Sequence, residues 1–153
     1  MSKIYVASSW GNILQPGIVG ALRSVGHEVY DFKNPRPGDN GFHWSEVDGG
    51  WKEWDLKRYR EALNHPIAVD GFHSDLDAMI RADTCVLVLP CGRSAHLEAG
   101  WFIGQGKPTF IFALEPCEPE LMYKMANGIL ISMDELFDAV GTPKITAEAK
   151  CPE

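Results

Sequence analysis

The chain has 153 residues, 45% of them apolar and 23% charged, and a formal net charge of −7. That length suits one globular domain with a substantial core, and the acidic balance argues against general nucleic-acid binding, which calls for a basic face. The longest apolar runs are of strand length, far short of the roughly 20 residues a membrane span needs.

Lys3-Ile4-Tyr5-Val6-Ala7-Ser8 reads as a strand that starts almost at once, so no signal peptide is expected. Ser8-Ser9-Trp10-Gly11-Asn12 follows as a turn-rich loop. Pro16 suits the first turn of a helix running through Val25, which Gly26 stops. His27-Glu28-Val29-Tyr30-Asp31-Phe32 is a second strand, and the βαβ unit so formed implies a parallel pair with a right-handed crossover. Residues 33–54 are punctuated by Pro35, Pro37, Gly38, Gly41, Gly49 and Gly50, with Phe42, Trp44, Trp51 and Trp54 between them. A loop of that length inside a domain is characteristically a lid or a binding loop.

Helices are expected over 54–64 and 72–82, the second with Phe72, Leu76, Met79, Ile80 and Asp83 in one sector. Strand 84–89, helix 95–105, strand 108–114, short helix 119–125, strand 128–132 and helix 133–140 follow. Five short parallel strands separated by helices give an α/β fold, a flavodoxin-like or Rossmann-like three-layer sandwich. A single domain over residues 1–141 is expected, with a loose tail over 142–153.

The densest signal lies between Leu89 and Trp101. Pro90 and Gly92 must stop the apolar strand Thr84-Cys85-Val86-Leu87-Val88-Leu89, and Ser94 is the expected N-cap of the next helix. Glu98 then falls in the first turns of that helix, above the carboxyl end of a strand, where open α/β sheets bind ligands. Beside Arg93, Ser94 and free backbone N–H groups it is a candidate nucleophile next to an anion site. The alternative is a carboxylate that only complements the helix dipole.

The four cysteines, at 85, 91, 117 and 151, form no CxxC pair, so reduced thiols in a cytoplasmic protein are expected. His43, His65 and His73 have no metal-ligand spacing, and Cys91 has no basic neighbour but Arg93; neither a metal, a cofactor nor a thiol nucleophile is expected.

Three features, in register, resemble the nucleoside 2-deoxyribosyltransferase family, which includes the nucleoside 5'-monophosphate N-glycosidases. They are the loop Ala7-Ser8-Ser9-Trp10-Gly11-Asn12; Asp75 with Ala82-Asp83 closing its helix; and Glu98-Ala99-Gly100, with Gly106-Lys107-Pro108 after the helix. The resemblance covers residues 3–137. It implies that Glu98 is the nucleophile that meets a sugar C1' as the bond to the base breaks, as in retaining glycosidases. It also implies that Asp75 is the acid serving the departing base; periodicity alone does not choose Asp75 over Asp77. The helix N-terminus and Arg93 are expected to keep Glu98 ionised.

Relatives carry small residues two and four places before the glutamate, where this chain has His96 and Ser94. His96 is therefore a candidate contact to the sugar, or a bystander on the helix surface. Arg93 and Ser94 are candidates to clamp a 5'-phosphate. Ser8, Ser9 and Asn12 suit phosphate or sugar contacts at the end of the first strand. Trp10, Phe42, His43 and Trp44 either sandwich a base or pin the loop to the body. Asn127 sits where a neighbouring subunit often completes the family's site, and the family implies a homodimer or larger homo-oligomer acting on a small-molecule nucleoside or nucleotide. Two other readings stand beside this one: an NAD-cleaving domain similar to Toll-receptor-type domains, and a non-catalytic nucleotide-binding module.

Overall fold

Every residue of Thr84–Val88 is buried, as a strand covered on both faces requires. It is β3, the middle of a five-stranded sheet in the computed structural model, which describes residues 1–141; the expected tail, with Cys151, lies outside the described residues. The other strands are β1 (Lys3–Ala7), β2 (Glu28–Tyr30), β4 (Thr109–Phe112) and β5 (Gly128–Leu130). All pairings are parallel and the order is β2-β1-β3-β4-β5, a flavodoxin-like α/β sheet. Tyr5 lies opposite both Tyr30 and Cys85 in register.

The helices are α1 (Gln15–Ser24), α2 (Trp44–Val47), α3 (Leu56–Ala62), α4 (Pro66–Arg81), α5 (Arg93–Gly104) and α6 (Met133–Val140), with 3-10 turns at Trp51–Glu53 and Leu121–Met125. Strand alternation sorts the core into two layers. Ile4, Val6, Val86, Val88 and Phe112 pack with Ile18, Val19 and Leu22 of α1 and Leu136 and Val140 of α6. On the opposite face Tyr5, Ala7, Cys85 and Leu87 pack with Ala78 and Met79 of α4 and Ala95, Ala99 and Phe102 of α5.

Several expected boundaries move. α4 begins at Pro66, six residues before the expected start, because Pro66 suits a first helical position and His65 Nδ1 accepts the Ile67 N–H at 3.2 Å. Its expected apolar sector is split: Met79 is buried, while Phe72 and Ile80 are 60% and 56% exposed. The helix after β3 is capped by Gly92, not Ser94, so Glu98 sits in its second turn. The Pro- and Gly-rich stretch 33–54 holds α2 and a 3-10 turn, and Asp55 Oδ1 caps α3 by accepting the Arg58 N–H at 2.7 Å. No helix among the described residues is long and apolar enough to cross a membrane.

Candidate active site

In this strand order β1 and β3 are neighbours whose connections leave in opposite directions, which opens a crevice at their carboxyl ends. A cavity of about 770 Å³ occupies it, bounded by the loops after β1, β2 and β3 and by α4. Glu98 and Asp75 both line it, as do Ser8, Ser9, Trp10, Trp44, Arg93 and Ser94. Residues from four separate stretches of chain thus meet in one place.

The two carboxylates are unequal. Glu98 is pushed up to about 7, mainly by burial and secondly by the charge of Asp75. Asp75 is raised by burial, against the opposing pull of a hydrogen bond from Tyr30. The Tyr30 hydroxyl donates to Asp75 Oδ1 at 2.8 Å. Burial lifts Tyr30 itself far above the usual phenol range, so it keeps its proton as a donor. The expectation that Arg93 and the helix start hold Glu98 fully ionised is not met. The helix begins at Arg93, so Glu98 lies a turn away from its free N–H groups, where burial outweighs their field.

Tyr5 is a site residue that sequence reasoning missed. Its side chain is fully buried under the cavity floor, and its hydroxyl finds no well-formed hydrogen bond. Its looser interaction with Glu98 favours the ionised carboxylate, and the charges of Glu98 and Asp75 help hold the phenol protonated. Tyr5 stacks on Tyr30, ring centroids 5.3 Å apart and planes inclined 17°. Two tyrosines therefore underlie two carboxylates. The only sequence signal was an aromatic in each of two short strands, and alternation alone does not say which face becomes the site.

At the other end of the cavity no side chain caps the start of α5. Arg93 lines that end and has no ion pair among the described residues, in contrast to Arg36, which is held by Asp39 at 2.8 Å and Asp70 at 3.5 Å. Ser9 Oγ accepts the Gly92 N–H at 2.6 Å, and Ser8 Oγ donates to the Val88 carbonyl at 2.9 Å. These bonds clamp the two loops together.

Asn12 and His96 are placed off the cavity wall. Asn12 is buried below it, its amide donating to the carbonyls of Val88 and Pro90 at 3.2 and 3.1 Å and to Ser8 Oγ at 3.0 Å. Its Oδ1 accepts the Leu14 N–H at 2.8 Å, so Asn12 braces the floor. The His96 ring faces the 3-10 turn Leu121–Met125, bonding Tyr123 Oη through Nε2 and the Gly92 carbonyl through Nδ1, both at 2.8 Å. Asn127 Oδ1 accepts the Thr109 N–H at 2.8 Å, locking β4 to the segment before β5.

Of the aromatic residues, Trp10 is 43% exposed, with its ring against His43 at 4.2 Å and Phe32 at 5.3 Å. Trp44 packs edge-on against Phe42, Trp54 and Tyr59, which ties the long loop to α3. Phe42 in turn presses on Gly71 of α4, where an added Cβ would lie 2.9 Å from the Phe42 Cβ and 3.0 Å from its ring. Trp44 thus both pins the loop and faces the cavity.

Cys85, Cys91 and Cys117 are free, and burial pushes the Cys91 thiol up to about 12, so it is not a thiolate. No group of three His, Cys, Asp or Glu side chains among the described residues is arranged to hold a metal ion.

The sequence matches no protein-family model and no curated protein sequence. Solved structures do share the fold. A 2-deoxyribosyltransferase from Bacillus psychrosaccharolyticus, described as a biocatalyst for nucleoside synthesis, is 20% identical with a TM-score of 0.57, over 88% of this chain and 90% of that one. A conserved protein from Enterococcus faecalis V583 is 14% identical with a TM-score of 0.56, over 92% and 97% of the two chains. At such identities the likeness speaks for the architecture alone.

Proposed function

We propose that the protein cleaves the N-glycosidic bond of a nucleoside or nucleoside 5'-monophosphate. The observation that carries this is the meeting of Glu98 and Asp75 in one cavity at the switch point of the sheet, each beside a tyrosine. The shared fold with a 2-deoxyribosyltransferase supports the same reading.

In this reaction a Glu98 oxygen attacks C1' while the C1'–N bond breaks, its electron pair passing to the base. The base nitrogen takes a proton from Asp75, and a sugar ester is left on Glu98. Water or a second base then attacks C1' and gives its proton to Asp75 as the C1'–O bond to Glu98 breaks, which restores both carboxyl groups and gives hydrolysis or transfer respectively. Glu98 attacks only when ionised, so its raised pKa ties the rate to pH near neutrality. Trp10 and Trp44 offer aromatic surface to the base. Arg93, Ser94, Ser9 and the uncapped start of α5 form the end of the cavity suited to a 5'-phosphate. A homo-oligomer belongs to this reading and is checked by light scattering.

The test is to incubate the protein separately with deoxynucleosides, deoxynucleoside and ribonucleoside 5'-monophosphates, and NAD, following free base by chromatography. Base release by the wild type and not by Glu98→Ala is expected. A second base added to the mixture separates transfer from hydrolysis. Release of nicotinamide alone would replace the reading with NAD cleavage, and binding without turnover would leave a nucleotide-binding module.

A further inference from the structure

We propose that Tyr30 is the positioning residue of this site: by fixing Oδ1 of Asp75, it decides how the two carboxylates share their proton and leaves only Oδ2 to meet the substrate. The catalytic consequence rests on the function proposed above; the proton placement does not.

Tyr30 is the last residue of β2, and its ring is locked by stacking on Tyr5 of β1. Its hydroxyl therefore has little freedom, and it reaches Asp75 Oδ1 at 2.8 Å. Ser74 Oγ lies 3.2 Å from the same hydroxyl; with the phenolic proton committed to Asp75, Ser74 is left as the donor. A carboxylate that accepts an O–H bond is favoured over its acid. The other charged or titratable groups acting on the Tyr30–Asp75 pair are Glu98 from α5, Tyr5 from β1 and Asp39 from the loop after β2. Arg36, on the same wall, is already engaged by Asp39 and Asp70. Among the described residues no cation contacts Asp75, so the Tyr30 hydroxyl is the group that offsets its burial. Since Glu98 and Asp75 interact, their protons leave in two steps that belong to the pair. Tyr30 stabilises equally the two forms in which Asp75 is charged, the pair with its proton on Glu98 and the fully ionised pair, so it lowers the pH at which the first proton departs and keeps the remaining one on Glu98.

The experiment is a carbon-13 NMR titration of protein labelled at the Asp and Glu side-chain carboxyls, comparing wild type, Tyr30→Phe and Tyr59→Phe. In Tyr30→Phe the lower of the two midpoints is expected to rise by about one pH unit, the scale of a hydrogen bond to a charged group. Tyr59→Phe, on an exposed ring packed on Trp44, leaves both midpoints in place. Incorporation of 3-fluorotyrosine at position 30 strengthens the donor and moves the same midpoint down, an opposite shift that loss of packing does not produce. Unmoved midpoints in folded Tyr30→Phe, or a rise with the fluorinated residue, overturn the proposal.

The pH profile of kcat/KM for base release then shifts its acid limb upward in Tyr30→Phe by the same interval. A protein that releases no base from any nucleoside, yet shows the NMR shift, loses the proposed function and keeps this proton placement. A protein that releases base with unmoved midpoints does the reverse.

Discussion

The two faces of the sheet are built from different chemistry. One is mostly aliphatic, with Phe112 its buried aromatic: Ile4, Val6, Val86 and Val88 interlock with α1 and α6 and carry no polar side-chain atom. The other alternates with it along the same strands, yet holds Tyr5 and Cys85 and meets helices through Ala78, Ala95 and Ala99. Small residues let α4 and α5 approach closely, and the Tyr5–Tyr30 pair brings hydroxyls to the level of Asp75 and Glu98. A strand with period two can thus serve stability with its odd or even residues and chemistry with the others.

The sharpest way to break this contrast is at Glu98. Glu98→Gln is expected to lower base release by about a thousandfold or more, the order seen when a nucleophile is removed, with helix content by circular dichroism unchanged. On the aliphatic face the expectation is reversed. Leu136 is fully buried, so Leu136→Ala should destabilise by about 2–5 kcal/mol in urea melts while the folded fraction keeps its turnover. Normal stability in that variant would remove the division of labour.

Smaller effects sharpen the comparison. Asn12→Ala removes the buried amide that serves the Val88 and Pro90 carbonyls and the Leu14 N–H, and is expected to lose about 1–3 kcal/mol, read by thermal melting. The pH dependence comes from Glu98, whose folded pKa of about 7 lies above its ordinary value of 4.5. Between these values the native state holds the proton that the unfolded chain has lost. Glu98 therefore lowers stability as pH rises through that window, and the penalty is complete above about 7. Glu98→Gln should accordingly melt several degrees higher than wild type at alkaline pH, with the gain vanishing in mild acid. Base release needs Glu98 ionised with a proton left on Asp75, so kcat/KM should rise as the first proton leaves the pair and fall as the last leaves, near 7. The smallest effect on stability is expected for Tyr5→Phe, under about 1 kcal/mol because its hydroxyl has no well-formed bond to lose, against a roughly tenfold fall in base release.

Much of this was legible in the residues. Short apolar runs broken by Gly and Pro marked all five strands, and Pro90-Cys91-Gly92 marked the turn that carries the ligand-facing helix. Local signals failed where two of them competed. Ser94 looked like a cap, but Gly92 takes that place because its extended backbone lets its N–H reach Ser9 Oγ across the crevice. Phe72 looked like core, but α4 turns Ala78 and Met79 inward, and the bulkier Phe72 is left exposed.

The sequence by itself determined the strand and helix order, the parallel sheet, and the turns that carry Glu98 and the serines, because these follow from periodicity and turn chemistry along a few neighbouring residues; the choice of Asp75 over Asp77 came from the family resemblance. Only the tertiary structure decided that Tyr5 and Tyr30 lie beneath those carboxylates, that Asn12 is a brace and that His96 turns to Tyr123. Those outcomes depend on the register between β1, β2 and β3 and on which helix covers which face. Burial, which sets the ionisation of Glu98, is a property of that assembly and of no single segment.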